Sequence, residues 1–221
     1  PAYNEGPRID AVLAVVCAHP QITEVIVIDD GSQDDTAQRV LAHPRAHLIR
    51  QPENGGKTRA VAAGLMAAQG DFILMLDADL VGLSRPDLDR LIAPVAAGQA
   101  DIAISLRGNA PRPWHWLGLD YISGERMLPR GLLLDQITTL ESLPRFGLEV
   151  FMNRLMIAAR MRVAVVAWPD VASPMKACKQ GSLWRGIRAD LAMLSDMFRT
   201  ISPLDAARQI IALHGQTVRN R

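Results

Sequence analysis

Two carboxylates one small residue apart, Asp77-Ala78-Asp79, close an apolar run from Phe72 to Leu76. A run of that length predicts a strand buried on both faces. Its end is the carboxyl end of a strand, where open α/β sheets place their ligands. Two carboxylates there can share a hard divalent cation. Mg2+ and Mn2+ prefer oxygen ligands, and Mg2+ is typically held by one or two carboxylates together with substrate phosphates. The spacing alone is not specific, because Asp87-Leu88-Asp89 follows Pro86 and reads as the solvated first turn of a helix. A polar loop capping the next helix is the alternative for Asp77 and Asp79.

Other residues offer matching chemistry. Glu24 to Asp30 is a second apolar run ending in carboxylates, Asp29-Asp30, followed by Gly31-Ser32. A carboxylate accepts hydrogen bonds without donating, so it can hold a nucleoside; a turn with a helix cap is the other reading. Asn54-Gly55-Gly56-Lys57 lets a backbone approach a phosphate closely, with Lys57 at a helix N-terminus, although the glycine spacing of a Walker loop is absent. Arg107 follows a strand end and can clamp a diphosphate or sugar phosphate, and Arg126 can do so from the next segment. Glu149 stands in the first turn of an otherwise apolar helix, where a carboxyl can serve as a base or simply complement the helix end. None of the five histidines has metal-ligand spacing with another, and Cys17 and Cys178 read as reduced thiols.

These residues need a scaffold of alternating elements. Helices are predicted over 7–18, from 34 onward, and over 58–68 and 86–97. Strands are predicted at 24–30, 47–50, 71–76 and 101–105. That alternation predicts an α/β fold with a mostly parallel sheet and right-handed crossovers. Residues 110–120 show no periodicity and read as loop. A helix is expected over 123–134, another over 148–160, a strand over 163–168, and helices over 180–199 and 203–214. The last 40 residues read as a helical segment, 182–221, set against a catalytic domain of 1–181. The basic amphipathic stretch Leu183–Phe198 suits packing on that domain or on a membrane surface. Net charge is +1, so no broad basic field points to nucleic acid. No apolar run reaches the ~18 residues of a membrane span. A cytoplasmic location is the default, with peripheral contact at the inner membrane face as the variant.

Four motifs then occur in order over the first half of the chain: Pro1-Ala2-Tyr3-Asn4-Glu5, Val27-Ile28-Asp29-Asp30-Gly31-Ser32, Asn54-Gly55-Gly56-Lys57 and Leu76-Asp77-Ala78-Asp79. Their order and spacing resemble family 2 glycosyltransferases, enzymes of the GT-A (Rossmann-like) fold that use nucleotide-diphosphate sugars. More loosely, Ile122-Ser123-Gly124-Glu125-Arg126, Phe146-Gly147-Leu148-Glu149 and Met175 to Gly181 are similar to a branch that includes polyprenyl-phosphate sugar transferases and glucosyl-3-phosphoglycerate synthases. The resemblance implies that Pro1, Tyr3 and Glu5 line a nucleoside pocket and that Asp29 or Asp30 bonds base or ribose. It places Lys57 near the nucleotide, Mg2+ or Mn2+ on Asp77 and Asp79, Arg107 after its strand as in the polyprenyl-phosphate enzymes, and Glu149 toward the acceptor or donor sugar.

Two departures stand out. The family's apolar strand before the first motif is missing here, which predicts a gap in the sheet. The family's metal-binding His is also missing from Asp170-Val171-Ala172-Ser173-Pro174, where Asp170 is the substitute at hand. The resemblance implies a metal-dependent hexosyltransferase acting from a nucleotide-diphosphate sugar onto polyprenyl phosphate or a small phosphorylated acid. The alternatives are an inactive nucleotide-binding relative and a sugar-phosphate nucleotidyltransferase, whose Gly-rich loop is lacking.

Overall fold

The computed structural model describes residues 1–143, 147–173 and 201–218. The Met175–Gly181 segment, Cys178 and the stretch expected to be helical over 180–199 lie outside them.

Helix α1 (Gly6–Ala18) buries Ile9, Val12, Leu13 and Val16, a three- and four-residue spacing that makes one apolar stripe, and it packs on the next helix in sequence. Strand β1 (Val25–Asp29) follows, then α2 (Thr36–Leu41) and β2 (Ala46–Arg50). β1 and β2 pair in parallel, from Val25 opposite Ala46 to Asp29 opposite Arg50. Helix α3 (Lys57–Ala67) packs on β1, where Gly64 lies close to Ile28, and it buries Ala60, Val61 and Leu65.

The second sheet contains β3 (Phe72–Met75), β4 (Ile102–Arg107), β5 (Arg126–Pro129) and β6 (Val163–Trp168), in the order β3-β5-β4-β6. β4 and β6 are parallel, and β5 runs antiparallel to both of its neighbours. Helix α4 (Arg85–Ala96) covers β4 and β6 behind a Ser84/Asp87 capping box. Beyond β4 come α5 (Arg112–Leu117), α6 (Arg130–Leu134), α7 (Ile137–Glu141), α8 (Gly147–Ala158) and α9 (Pro203–Gln216), the last packed on α8.

The helix expected over 123–134 is corrected here. Residues 126–129 form β5, and only Arg130–Leu134 is helical. Arg126 and Leu128 point inward while Met127 and Pro129 are half-exposed, a period of two. Pairing on both edges, with β3 and β4, outweighs the local helical pattern. Residues 112–117, read as loop, form a single short helix.

The sheet is also less uniformly parallel than expected, and it is interrupted. β1 and β3 do not pair, and a cavity of about 410 Å³ separates them. Val27 and Ile28 line one wall, Leu74 and Met75 the other. β3 therefore lacks the two-sided burial expected of it, and Phe72 stays 48% exposed.

Candidate active site

The site forms at the carboxyl ends of β1, β3 and β4. Its first wall is a set of loops tied by side chains. Backbone N–H of Asn4 donates to Ser32 Oγ at 2.9 Å, and Gln33 N–H donates to Asn4 Oδ1 at 2.9 Å. Glu5 N–H donates to Thr36 Oγ1, and the Glu5 carboxylate accepts from Arg8 at 2.6 Å. Gly31 turns at φ +73°, and an added Cβ would meet the Glu53 carbonyl carbon at 2.7 Å. Only glycine suits that backbone and that contact.

These loops enclose a cavity of about 630 Å³ lined by Tyr3, Ser32, Arg50, Gln51 and Asn54. The paired carboxylates of β1 are spent on its frame. Asp30 accepts Gly55 N–H and Gly56 N–H, each at 2.8 Å, and so clamps the loop before α3. Buried Asp29 accepts Ser32 N–H at 2.9 Å and faces Arg50 Nε at 3.2 Å. Both Asp30 oxygens accept the Gly55 and Gly56 amides, while the buried Asp29 Oδ2 has no hydrogen-bond partner among the described residues. Pro1 lines the other cavity, between β1 and β3, which Asp77 also lines.

That clamp fixes Lys57 as the first residue of α3. Its ammonium bridges Asp77 Oδ1 at 2.9 Å and Glu149 Oε1 at 3.0 Å. Three residues far apart in sequence thus meet at one point. Burial works against the Lys57 charge, but Asp77 and Glu149 outweigh it and hold the ammonium firmly protonated. Burial likewise raises the Asp77 carboxyl, and the Lys57 charge overcomes this and holds it below the ordinary carboxylate range. Asp79 differs. Burial pushes it up and the Asp77 charge pushes further, while the Ser173 hydroxyl, donating at 3.0 Å, offsets part of the shift.

Two hard oxygen ligands, one of which disfavours the other's ionisation, fit a divalent cation that draws further ligands from phosphate. No cluster of three or more His, Cys, Asp or Glu side chains suited to a metal occurs among the described residues. Asp170 forms no such group with Asp77 and Asp79 among the described residues.

Arg107 ends β4 with its guanidinium over a buried acidic pair. Nη2 donates to Asp120 Oδ2 at 3.3 Å and Nε lies 3.4 Å from Glu125 Oε2. Glu125 also accepts from the Ser105 and Ser123 hydroxyls at 3.0 Å. Burial pushes both acids up, against the lowering by Arg107. The helix that the pattern over 123–134 predicts gives no sign of this network, which joins Ser105 and Arg107 of β4 to Asp120, Ser123 and Glu125.

Arg126 does not reach the site. It is fully buried, donating to Ser123 O at 2.7 Å, Asn153 Oδ1 at 2.7 Å and Tyr121 O at 3.1 Å. A guanidinium so engaged braces β5 against α8. Glu149 lies in the first turn of α8, 5% exposed, with Lys57 as its partner.

The model of glycosyl transferase family 2 matches residues 1–155. The chain belongs to glycosyl transferase family 2. A dolichyl-phosphate beta-glucosyltransferase of Trichomonas vaginalis is 44% identical over 92 residues, covering 36% of this chain and 27% of its own length. A dodecaprenyl-phosphate galacturonate synthase of Rhizobium johnstonii is 28% identical over 118 residues, covering 49% and 35%. The chain thus spans about a third or less of the length of these curated relatives. Among solved structures, glucosyl-3-phosphoglycerate synthase from Mycobacterium tuberculosis, in complex with Mn2+, uridine diphosphate and glucosyl-3-phosphoglycerate, superposes with a TM-score of 0.62 at 25% identity. That match covers 88% of this family 2 chain and 77% of the synthase chain. The GT-A fold of this family 2 member is shown by that likeness.

Proposed function

We propose that this chain carries the donor site of a metal-dependent hexosyltransferase, moving a hexose from a nucleotide-diphosphate sugar to a phosphorylated acceptor. The observation that carries the reading is the meeting of Lys57, Asp77 and Glu149, with Asp79 beside them, at the ends of strands that also frame the Tyr3–Asn54 cavity. That cavity suits a nucleoside, and Tyr3 and Arg50 offer a ring face and a donor at its wall. Asp77 and Asp79 would hold Mg2+ or Mn2+. The metal, when bound, supplies Lewis-acid neutralisation of charge on the departing diphosphate. Lys57 supplies a fixed cation to the same phosphates.

Arg107 is the group for the acceptor. Its guanidinium, at the carboxyl end of β4 and only partly exposed above Asp120 and Glu125, has the fork that suits an incoming phosphate. A phosphate oxygen is already ionised and needs little general-base help, so Glu149 has no proton to take. Its place beside Lys57 suits hydrogen bonding to a sugar hydroxyl. The relatives support phosphorylated acceptors, since their names specify dolichyl and dodecaprenyl phosphate, and the similar structure contains Mn2+, a uridine nucleotide and a phosphoglycerate product. Among the described residues no helix is long and apolar enough to cross a membrane. A cytoplasmic or membrane-peripheral setting is part of the same proposal.

The cavity separating β1 from β3 favours one other reading, a protein that binds nucleotide without turnover. A panel of nucleoside diphosphates and their sugars, scored by thermal stabilisation with and without Mn2+, tests the donor site. Native-state binding at a hundredfold excess over Kd adds about 2.7 kcal/mol. Asp79→Asn is expected to abolish the Mn2+-dependent part and leave the unfolding transition of the free protein in place. Equal stabilisation of variant and parent would sink the assignment. Sugar release onto polyprenyl phosphate or 3-phosphoglycerate then separates an active enzyme from the binding protein.

A further inference from the structure

We propose that Lys57 is an internal counter-cation holding the position beside Asp77, so that a divalent metal enters only together with the nucleoside diphosphate. This rests on the metal–nucleotide reading above and adds an order of binding to it.

The Lys57 ammonium lies 2.9 Å from Asp77 Oδ1 and 3.0 Å from Glu149 Oε1. It is not a loose surface pair. The stem starts at the first residue of α3, and the preceding Gly55 and Gly56 amides are both bonded to Asp30. A third side is closed by Gly124. A Cβ on Gly124 would lie 2.8 Å from Lys57 Nζ and 3.0 Å from both Asp77 carboxylate oxygens. Any side chain at 124 would meet the pair, so glycine there leaves the ammonium and the carboxylate their room and borders them with backbone. A bare divalent cation approaching Asp77 meets a fixed positive charge at contact range, and Asp77 and Asp79 have no third His, Cys, Asp or Glu grouped with them for a metal among the described residues. A nucleoside diphosphate changes that balance. Its oxygens give Lys57 another anion at the N-terminus of α3, and they supply the ligands that two carboxylates leave unfilled. Glu149 keeps hold of the ammonium as Asp77 is released to the metal.

The test is Mn2+ uptake by the full chain, read from the electron paramagnetic resonance signal of free Mn2+, with and without UDP or GDP. The parent is expected to take up Mn2+ weakly alone and more tightly with nucleotide. Lys57→Met is expected to bind Mn2+ alone about tenfold more tightly than the parent, an effect of the order expected from removing one charge beside a partly buried carboxylate. Its dependence on nucleotide should shrink accordingly. Lys57→Gln carries the same expectation if the methionine variant does not fold, and Lys57→Arg should resemble the parent. Nucleotide-free Mn2+ affinity in Lys57→Met or Lys57→Gln no higher than in the parent overturns the proposal while leaving the site assignment standing. Absence of Mn2+ uptake by the parent even with nucleotide overturns both.

Discussion

Glu149 and Glu125 are both buried acids, and their partners set them apart. Glu149 has an ammonium for a partner, so its role is set by where Lys57 holds it. Glu149→Gln is expected to lower kcat by up to about a hundredfold through lost positioning, with donor binding unchanged. Unaltered turnover would reduce Glu149 to a charge at a helix end. Glu125 is buried beneath Arg107, and one of its oxygens, Oε1, has no hydrogen-bond partner among the described residues. Burial, and then the Asp77 charge, push its carboxyl above the ordinary value of 4.5. In the unfolded chain the proton leaves near that ordinary value, and in the folded chain it stays to higher pH. The folded state then binds more protons, so stability falls as pH rises through the interval between the two values. Glu125→Gln should flatten that part of a urea-denaturation series run against pH. A slope identical to the parent's would mean that Arg107 keeps the carboxyl ionised.

Strand β5 decides the element scale. It joins β3 to β4, carries Arg126 into the core and brings Gly124 against the Lys57–Asp77 pair. Leu128 is fully buried at its centre. Leu128→Ala should cost about 2–5 kcal/mol in chemical denaturation, the range for a large-to-small change in a packed interior. A cost well below that range would mean the strand closes over the cavity. The turn after β1 offers an independent measure. Gly31→Ala should destabilise by roughly 1–3 kcal/mol, since φ +73° and the Glu53 backbone both oppose a Cβ. It should also weaken nucleotide binding, because the same turn borders the Tyr3–Asn54 cavity.

At the scale of the whole molecule, the two sheets meet across the gap between β1 and β3, and the site draws on both. Lys57, held by the β1 side through Asp30, contacts Asp77 beyond β3 and Glu149 on α8. A ligand that binds this seam couples the halves. Nucleotide with Mn2+ is therefore expected to raise the unfolding temperature of the chain as one transition. Stabilisation confined to an early, separate transition would mean that the β1–β2 side unfolds alone.

The apolar runs ending in Asp29-Asp30 and Asp77-Ala78-Asp79, the glycine loop before Lys57 and the helical stripe of α1 were all legible in the sequence. Each is a local pattern whose period or composition is set by neighbours within a few residues. The family resemblance, too, lay in these motifs. Other features depend on partners far along the chain. Residues 126–129 became a strand because β3 and β4 both had edges to fill. Arg126 went inward because Asn153 and two backbone carbonyls awaited it. Asp30 accepts the Gly55 and Gly56 amides, and Lys57 meets Asp77 and Glu149, contacts that no local pattern announces. A charged side chain takes the partner that the packed fold places within its reach, and that choice is made across 92 residues of sequence between Lys57 and Glu149.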